Sequence, residues 1–126
     1  MPDIDWSQYP DFTPDEFRCK ETGELNVDDD FLIRLQALRT EYGQPMIITS
    51  GYRSPQHSIE AEKSTPGQHA NGIAVDVRTQ GNNAWDLVAL AVQHGFYGIG
   101  VSQKNGKPRF IHLDTRPHAQ RAIWSY

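Results

Sequence analysis

The sequence predicts a single α+β domain whose small, mainly antiparallel sheet carries helices on one face and a cleft on the other. Its 126 residues are the size of one domain. Segments with helical periodicity alternate with short segments that are apolar or strictly alternating, as in strands. The segment Lys104-Asn105-Gly106-Lys107 is typical of a hairpin turn and indicates at least one antiparallel pair of strands. Mixed elements with antiparallel pairing define the α+β class.

A polar N-terminal arm, residues 1–27, precedes the first long helix. We expect it to be ordered and packed on the rest of the single domain, which spans residues 1–126. Within it, Thr13 is a typical N-cap, Pro14 is favoured at the first helical position and Glu16 completes a capping box. The arm is therefore predicted to contain one short helical turn.

The clearest helix covers residues 29–42. The aspartates at positions 28–30 are favoured at its start by the helix dipole, and Gly43 ends it. Its apolar positions recur at helical spacing and are Phe31, Leu32, Leu35, Leu38 and Tyr42. The apolar run over residues 46–49 then predicts a buried strand, and residues 50–55 have the composition of a turn.

The second half of the chain alternates strands with one further helix. Residues 73–78 alternate between apolar and other side chains, which predicts a strand with one buried face. A helix over about residues 83–94 is predicted to be capped by Asn82 or Asn83 and to end at Gly95. The remaining predicted segments are a short helix over residues 56–63, a loop over residues 64–67, and strands over residues 96–101 and 109–114.

Composition and charge exclude several classes of protein. With 37% hydrophobic and 22% charged residues, the chain is not collagen-like, disordered or a coiled coil. It has no run of about 18 apolar residues and no secretory signal pattern at its start, so we expect synthesis in the cytoplasm and no membrane partner. A net charge of −4 argues against a nucleic-acid partner. The single cysteine, Cys19, fits a reducing compartment, and we expect it to be a buried apolar residue.

Three residues are candidates for a metal site: His69, Asp76 and His112. In two predicted strands the apolar residues share one side, and Asp76 or His112 lies on the other. If both apolar faces pack in one core, Asp76 and His112 share the opposite face, and His69 lies in the loop leading to it. Two nitrogens and one oxygen suit Zn²⁺ and leave a fourth position for water, which zinc makes nucleophilic near neutral pH. The same spacing is also compatible with ordinary polar residues on a solvated sheet face.

Three motifs follow one another along the chain. They are Ser50-Gly51-Tyr52-Arg53-Ser54-Pro55, Gln68-His69-Ala70-Asn71-Gly72-Ile73-Ala74-Val75-Asp76 and Ile111-His112-Leu113-Asp114. Their order resembles the D-alanyl-D-alanine carboxypeptidase-like zinc peptidases of bacteria and phages. The signature of that family is a Ser-Gly-Tyr-Arg turn, a His-x6-Asp element with a glycine, and a late His-x-Asp strand. The resemblance extends from about Phe12 to Trp124, and its first segment is similar to short, single-domain members from phages and prophages.

The resemblance implies that His69, Asp76 and His112 bind one Zn²⁺ per chain. It also implies that Arg53 lies over the metal and contacts a substrate carbonyl or carboxylate, since a guanidinium can stabilise the oxyanion of a tetrahedral intermediate. The implied activity is hydrolysis of a peptide bond in the stem or cross-linking peptides of peptidoglycan. On this reading the protein is a phage or prophage lysis enzyme, made without a signal peptide and acting on the cell wall after release. A host enzyme that remodels the wall, or one that recycles wall peptides in the cytosol, is the alternative. We expect a monomer.

One position departs from the family pattern. Several relatives carry a catalytic Glu or Asp three residues before the last zinc histidine, where this chain has Arg109, which cannot act as a base. Asp114, on the same strand face as His112, is the nearest carboxylate and has two candidate roles. It either takes a proton from the zinc-bound water or orients His112 through a hydrogen bond. His57 and Gln68 are candidates for binding substrate, each with a surface or loop-shaping role as the alternative.

Two functions other than catalysis are open on this sequence. The missing acid at position 109 is compatible with a non-catalytic wall-binding domain that keeps its zinc. Alternatively, the metal only stabilises the fold of a structural component of a phage particle. For an enzyme, the D,D, L,D and L-alanyl-D-glutamate bonds of peptidoglycan are all candidate substrates. Removal of a terminal residue by a carboxypeptidase and internal cleavage by an endopeptidase are both open.

Overall fold

The computed structural model describes residues 3–57 and 67–126. The helix predicted over residues 56–63 and the loop predicted over residues 64–67 lie almost entirely outside these ranges. Within them, the helices are α1 (Pro14–Phe17), α2 (Asp29–Tyr42) and α3 (Gly81–Gln93), and the strands are β1 (Ile47–Ser50), β2 (Ala74–Arg78), β3 (Gly98–Ser102), β4 (Phe110–Asp114) and β5 (Ala122–Ser125). The α+β class predicted from the sequence is confirmed.

The strands form one sheet in the order β1-β2-β4-β3-β5. Strand β1 is antiparallel to β2, β2 to β4 and β4 to β3, whereas β5 runs parallel to β3. The predicted turn joins β3 to β4, with the Lys107 amide donating to the Lys104 carbonyl at 3.3 Å. The sheet is therefore mainly antiparallel, as predicted, and the predicted strand ends are displaced by no more than two residues.

The fifth strand is a correction to the sequence analysis, which ended the sheet at residue 114. Its side chains alternate between half-buried and exposed, and Ile123 is 72% exposed. An edge strand of four residues has no fully buried apolar face, so it lacks the alternation by which strands are identified in a sequence. The strand matters for function because it brings Trp124 beside His112.

Capping residues set the ends of the two long helices. Helix α2 matches its prediction, since the Asp28 carboxylate accepts from the Phe31 amide at 2.9 Å and Gly43 ends the helix with a φ of 72°. The start predicted for α3 at Asn82 or Asn83 is wrong, because Gln80 is the N-cap and its carbonyl accepts from the Ala84 amide. Gly81, with a φ of 61°, lets the chain turn into the helix before the asparagines.

The core lies between one face of the sheet and the helices α2 and α3. The N-terminal arm contributes to it through Tyr9, Phe12, Phe17 and Cys19, each at most 5% exposed. These side chains of the arm therefore lie in the core, and Cys19 is buried there. No helix in the described part of the chain is long and apolar enough to cross a membrane. The other sheet face carries polar side chains, and these form the site described next.

Candidate metal centre

Two imidazoles and one carboxylate converge on the face of the sheet away from the helices. Asp76 of β2 pairs directly with His112 of β4 across the sheet, and His69 reaches them from the loop before β2. One ligand atom from each residue can be chosen so that all three lie within 4.8 Å of one another. The structure thus brings together the three residues that the sequence analysis selected.

The spacing of these atoms fits a small tetrahedral metal ion. Asp76 Oδ1 lies 3.4 Å from His69 Nε2 and 3.2 Å from His112 Nδ1. Two ligands bonded at about 2.1 Å to a tetrahedral ion are about 3.4 Å apart. The three residues are only 5–7% exposed. Two nitrogens and one oxygen form a donor set that suits Zn²⁺.

Hydrogen bonds fix which nitrogen of each imidazole faces the centre. The Nδ1–H group of His69 donates to the Gly51 carbonyl at 2.7 Å. The Nε2–H group of His112 donates to the Asp114 carboxylate at 2.7 Å. His69 Nε2 and His112 Nδ1 are therefore the nitrogens that face Asp76, where they donate to its carboxylate when protonated and can bind a metal when deprotonated. Such outer hydrogen bonds are the usual companions of metal-binding histidines.

Hydrogen bonds and neighbouring charges shift the pKa values of Asp76, Asp114 and His112. Burial alone would raise the pKa of Asp76, but hydrogen bonds from His112 and His69 outweigh it and hold this pKa well below its usual range. Burial likewise opposes ionisation of Asp114, but His112 and Arg116 lower the pKa of that carboxyl. For His112, burial lowers the pKa and the two neighbouring carboxylates raise it by more. Both aspartates are thus held as carboxylates.

Two motif glycines position the loop that carries His69. A Cβ atom on Gly51 would lie 2.7 Å from the Cα atom of Phe17, and one on Gly72 would lie 2.4 Å from the Asn26 carbonyl oxygen. Gly72 also has a φ of 76°. Only glycine allows these backbones to approach so closely. The N-terminal arm thus supports the Gly51 carbonyl, which in turn orients His69.

Asp114 lies behind His112 and not in the open cleft. It is fully buried, and besides His112 it accepts hydrogen bonds from Arg116 Nε and Nη2, both at 2.9 Å. The Arg116 guanidinium also lies over the Trp124 ring, 5.0 Å from its centroid, and that ring packs against the His112 imidazole. Neither Arg116 nor Trp124 was predicted from the sequence, because neither belongs to a metal-ligand pattern and Trp124 depends on the unpredicted strand β5.

Glycines in β3 make room for this outer layer. A Cβ atom on Gly98 would lie 2.1 Å from Asp114 Oδ1 and 2.4 Å from Arg116 Nε. A Cβ atom on Gly100 would lie 2.6 Å from the indole nitrogen of Trp124. The Gly-Ile-Gly sequence of this strand therefore serves to admit the side chains that surround His112.

A cleft of about 990 Å³ opens beside Asp76 and extends over β1 and the start of β4. Arg53 lines it, with Nη2 3.7 Å from Asp76 Oδ2 and its amide bonded to the His69 carbonyl. Arg109 also lines the cleft, next to Phe110. The guanidinium predicted to lie near the metal ligands is therefore adjacent to them.

Two residues predicted to bind substrate are not among the described residues that line this cleft. His57 lies 3.0 Å from a carboxylate oxygen of Glu21 in the N-terminal arm. The Gln68 side chain accepts from Asn71 within its own loop. Both contacts are compatible with the alternative, structural roles of these residues.

The chain was compared with known protein families. The sequence model of the family described as Peptidase M15 matches residues 10–114, which includes all three residues of the centre. No curated protein matches the chain.

Proposed function

The chain belongs to the peptidase M15 family, whose members are zinc-dependent peptidases acting on peptidoglycan, and we propose that His69, Asp76 and His112 bind one catalytic Zn²⁺. The proposed reaction is hydrolysis of a peptide bond in the stem or cross-linking peptides of peptidoglycan. The observation that carries the proposal is the pair of outer hydrogen bonds that turn the other nitrogen of each histidine toward Asp76.

Zinc bound between these residues supplies Lewis acidity, which activates water and polarises a carbonyl oxygen. The chain's own residues orient the substrate and stabilise charge around it. Arg53 is 21% exposed in its side chain and lines the cleft beside Asp76. We assign to its guanidinium the binding of the scissile carbonyl oxygen, where a fixed cation stabilises developing negative charge.

For Asp114 we propose the orienting role and not that of a general base. Its side chain has no exposed surface, and both of its oxygens already accept hydrogen bonds from His112 or Arg116. A general base must come within hydrogen-bonding reach of the proton that it removes. Asp114 instead keeps His112 in the tautomer whose Nδ1 lone pair faces Asp76, and Arg116 holds Asp114 in place.

A second candidate function is binding of the cell wall without turnover. It is favoured by one observation: among the described residues lining the cleft, Asp76 is the only carboxylate. With Asp76 as a metal ligand and Arg109 in the place of an acid, the described part of the cleft offers no second carboxylate for proton transfer. We retain hydrolysis as the main proposal because the donor set leaves a position open for water.

For the biological role, we propose degradation of the cell wall during phage lysis. The support is the similarity of residues 12–19 to short phage and prophage members of the family. We further propose that the protein acts as a monomer on a peptidoglycan peptide.

The test combines metal analysis with digestion of purified peptidoglycan. We expect about one zinc per chain and release of fragments whose masses identify the bond cut. His69→Ala should lose both zinc and turnover, whereas His118→Ala, which changes an exposed histidine in the 3₁₀ turn His118–Gln120, should retain both. Zinc at full occupancy without any fragment release would support the binding function instead. Full zinc occupancy in His69→Ala would contradict the ligand assignment.

A further inference from the structure

Positive charge is concentrated in the cleft of an otherwise acidic chain. The chain has a net charge of −4. Among the described residues that line the cleft, however, four are cationic and only Asp76 is acidic. The cations are Arg53, Arg78, Lys107 and Arg109. Since Asp76 and Arg53 belong to the proposed metal centre, three cations remain without an assigned role. We call Arg78, Lys107 and Arg109 the basic end of the cleft.

Within the described part of the chain, no acid neutralises these three cations. In residues 3–57 and 67–126, no carboxylate forms an ion pair with Arg78, Lys107 or Arg109. The Arg109 guanidinium instead donates to two neutral acceptors, the side-chain oxygens of Gln80 and Asn105. These contacts position the guanidinium, and no described acid compensates its charge. By contrast, Arg18 and Arg34 each pair with an aspartate.

The register of the sheet sets the distance from the basic end to the metal centre. Arg78 follows Asp76 by two residues on β2, so it lies on the same face of the sheet. In the next strand, Phe110 pairs with Arg78 as His112 pairs with Asp76, and Arg109 directly precedes Phe110. Two strand residues span about 6.6–6.8 Å. For an extended peptide that lies along β2 with its reacting bond at Asp76, the atoms one to two residues away would therefore lie beside Arg78.

We propose that the basic end of the cleft binds a free carboxylate of the substrate peptide, one to two residues from the bond at the metal centre. A guanidinium fork matches a carboxylate in geometry as well as in charge, and no acid among the described residues competes for Arg78. Lys107 and Arg109 add positive potential at the same end. This inference rests on the proposed function for the identity of the substrate, but carboxylate binding itself does not require turnover.

The test compares peptides that differ only in one carboxylate. One pair is a short peptide ending in D-alanyl-D-alanine, with either a free C-terminus or a carboxamide. The other pair contains D-glutamate or D-glutamine within the peptide. Dissociation constants are measured by calorimetry on the full chain after zinc removal, with circular dichroism to verify the fold, and kcat/KM is measured on the zinc-loaded protein.

We expect the wild type to bind the acid of at least one pair about 10-fold more tightly than its amide, the usual size for a charged hydrogen bond. Arg78→Gln should reduce this ratio to about 3 or less by weakening the acid alone. Lys107→Gln should reduce it by a smaller factor. Lys104→Gln is the matched control for Lys107→Gln. It removes the same positive charge from the same turn, but Lys104 is not among the described residues that line the cleft.

Equal binding of acid and amide in both pairs would overturn the inference, as would an Arg78→Gln variant that weakens acid and amide equally. The outcome is separable from that of the proposed function. If the zinc-loaded protein cleaves neither peptide but the acid preference persists and depends on Arg78, the subsite stands and the hydrolase proposal fails. If the peptides are cleaved without any acid preference, the subsite alone fails.

Discussion

Replacing Asp114 by asparagine tests how the outer layer of the centre controls zinc. The substitution keeps one oxygen, which can still accept from the Arg116 amide and Nε. The new amide nitrogen takes the place of the oxygen that accepts from His112 Nε2 at 2.7 Å and Arg116 Nη2 at 2.9 Å. The N–H groups of His112 Nε2 and Arg116 Nη2 then both point at an amide N–H group, which cannot accept a hydrogen bond. His112 escapes this conflict by moving its proton to Nδ1, the atom that faces Asp76, and such a tautomer cannot bind a metal there.

Two magnitudes follow from this geometry. Loss of a second hydrogen-bonding partner of a metal-binding histidine weakens metal affinity by about 10- to 100-fold. Breaking a buried ion pair costs about 3–5 kcal/mol, and we take about 3 kcal/mol because the Arg116 side chain is 19% exposed and can turn toward water. For a chain of this length, that corresponds to a Tm lower by about 10 °C.

The assay measures zinc affinity by competition with a chelator, turnover at saturating zinc, and Tm on the same samples. Asp15→Asn is the matched control, since it alters an aspartate–arginine pair whose aspartate side chain is 88% exposed; we expect its Tm to change by less than about 2 °C. At saturating zinc, Asp114→Asn should recover most of its turnover. Normal zinc affinity together with a turnover about 10²–10⁴-fold lower would refute the orienting role and restore Asp114 as the general base.

Three further changes have defined outcomes. Arg53→Ala should retain zinc and most of its Tm while turnover of peptidoglycan falls about 10²-fold or more, and unchanged turnover would remove Arg53 from the mechanism. Gly98→Ala should lower both Tm and zinc affinity, because its Cβ would meet Asp114 and Arg116, whereas Gly106→Ala in the open β3–β4 turn should retain normal zinc affinity. Burial, and then the Asp29 carboxylate, raise the pKa of Tyr9 to about 12, so the native state favours the neutral phenol. This contribution is complete below about pH 10, the pKa of an unfolded tyrosine, and is lost as the pH rises through about 12; urea unfolding should show a smaller loss of stability between these pH values in Tyr9→Phe than in the wild type.

The fold was predictable where the local pattern alone determines structure. Helix α2 has aspartates at its start, a glycine after its end and apolar residues at helical spacing, and the structure reproduces its bounds. The start of α3 was not predictable from its asparagines, because the positive φ of Gly81 decides it. Strand β5 was missed because an edge strand gains its stability from pairing with β3 and not from its own side-chain pattern.

The candidate metal centre was also predictable only in part from the sequence. The face shared by Asp76 and His112 follows from strand alternation once the two apolar faces are assigned to one core. The orienting role favoured for Asp114 could be inferred only from the structure. Strand periodicity predicts on which face of the sheet Asp114 lies, but it does not predict that Arg116 encloses its carboxylate. Arg116 and Trp124 could not be assigned from the sequence, since their contacts with Asp114 and His112 depend on the glycines of β3 and on β5.

A crystal structure of the zinc-loaded protein, with anomalous data collected at the zinc absorption edge, would locate the metal among its proposed ligands. We expect one strong peak per chain, about 2.0–2.2 Å from His69 Nε2, His112 Nδ1 and a carboxylate oxygen of Asp76. We also expect Asp114 to remain hydrogen-bonded to His112 Nε2 and to Arg116. A peak bonded to Asp114 or to His112 Nε2, or no peak between the proposed ligands at full zinc loading, would contradict this assignment.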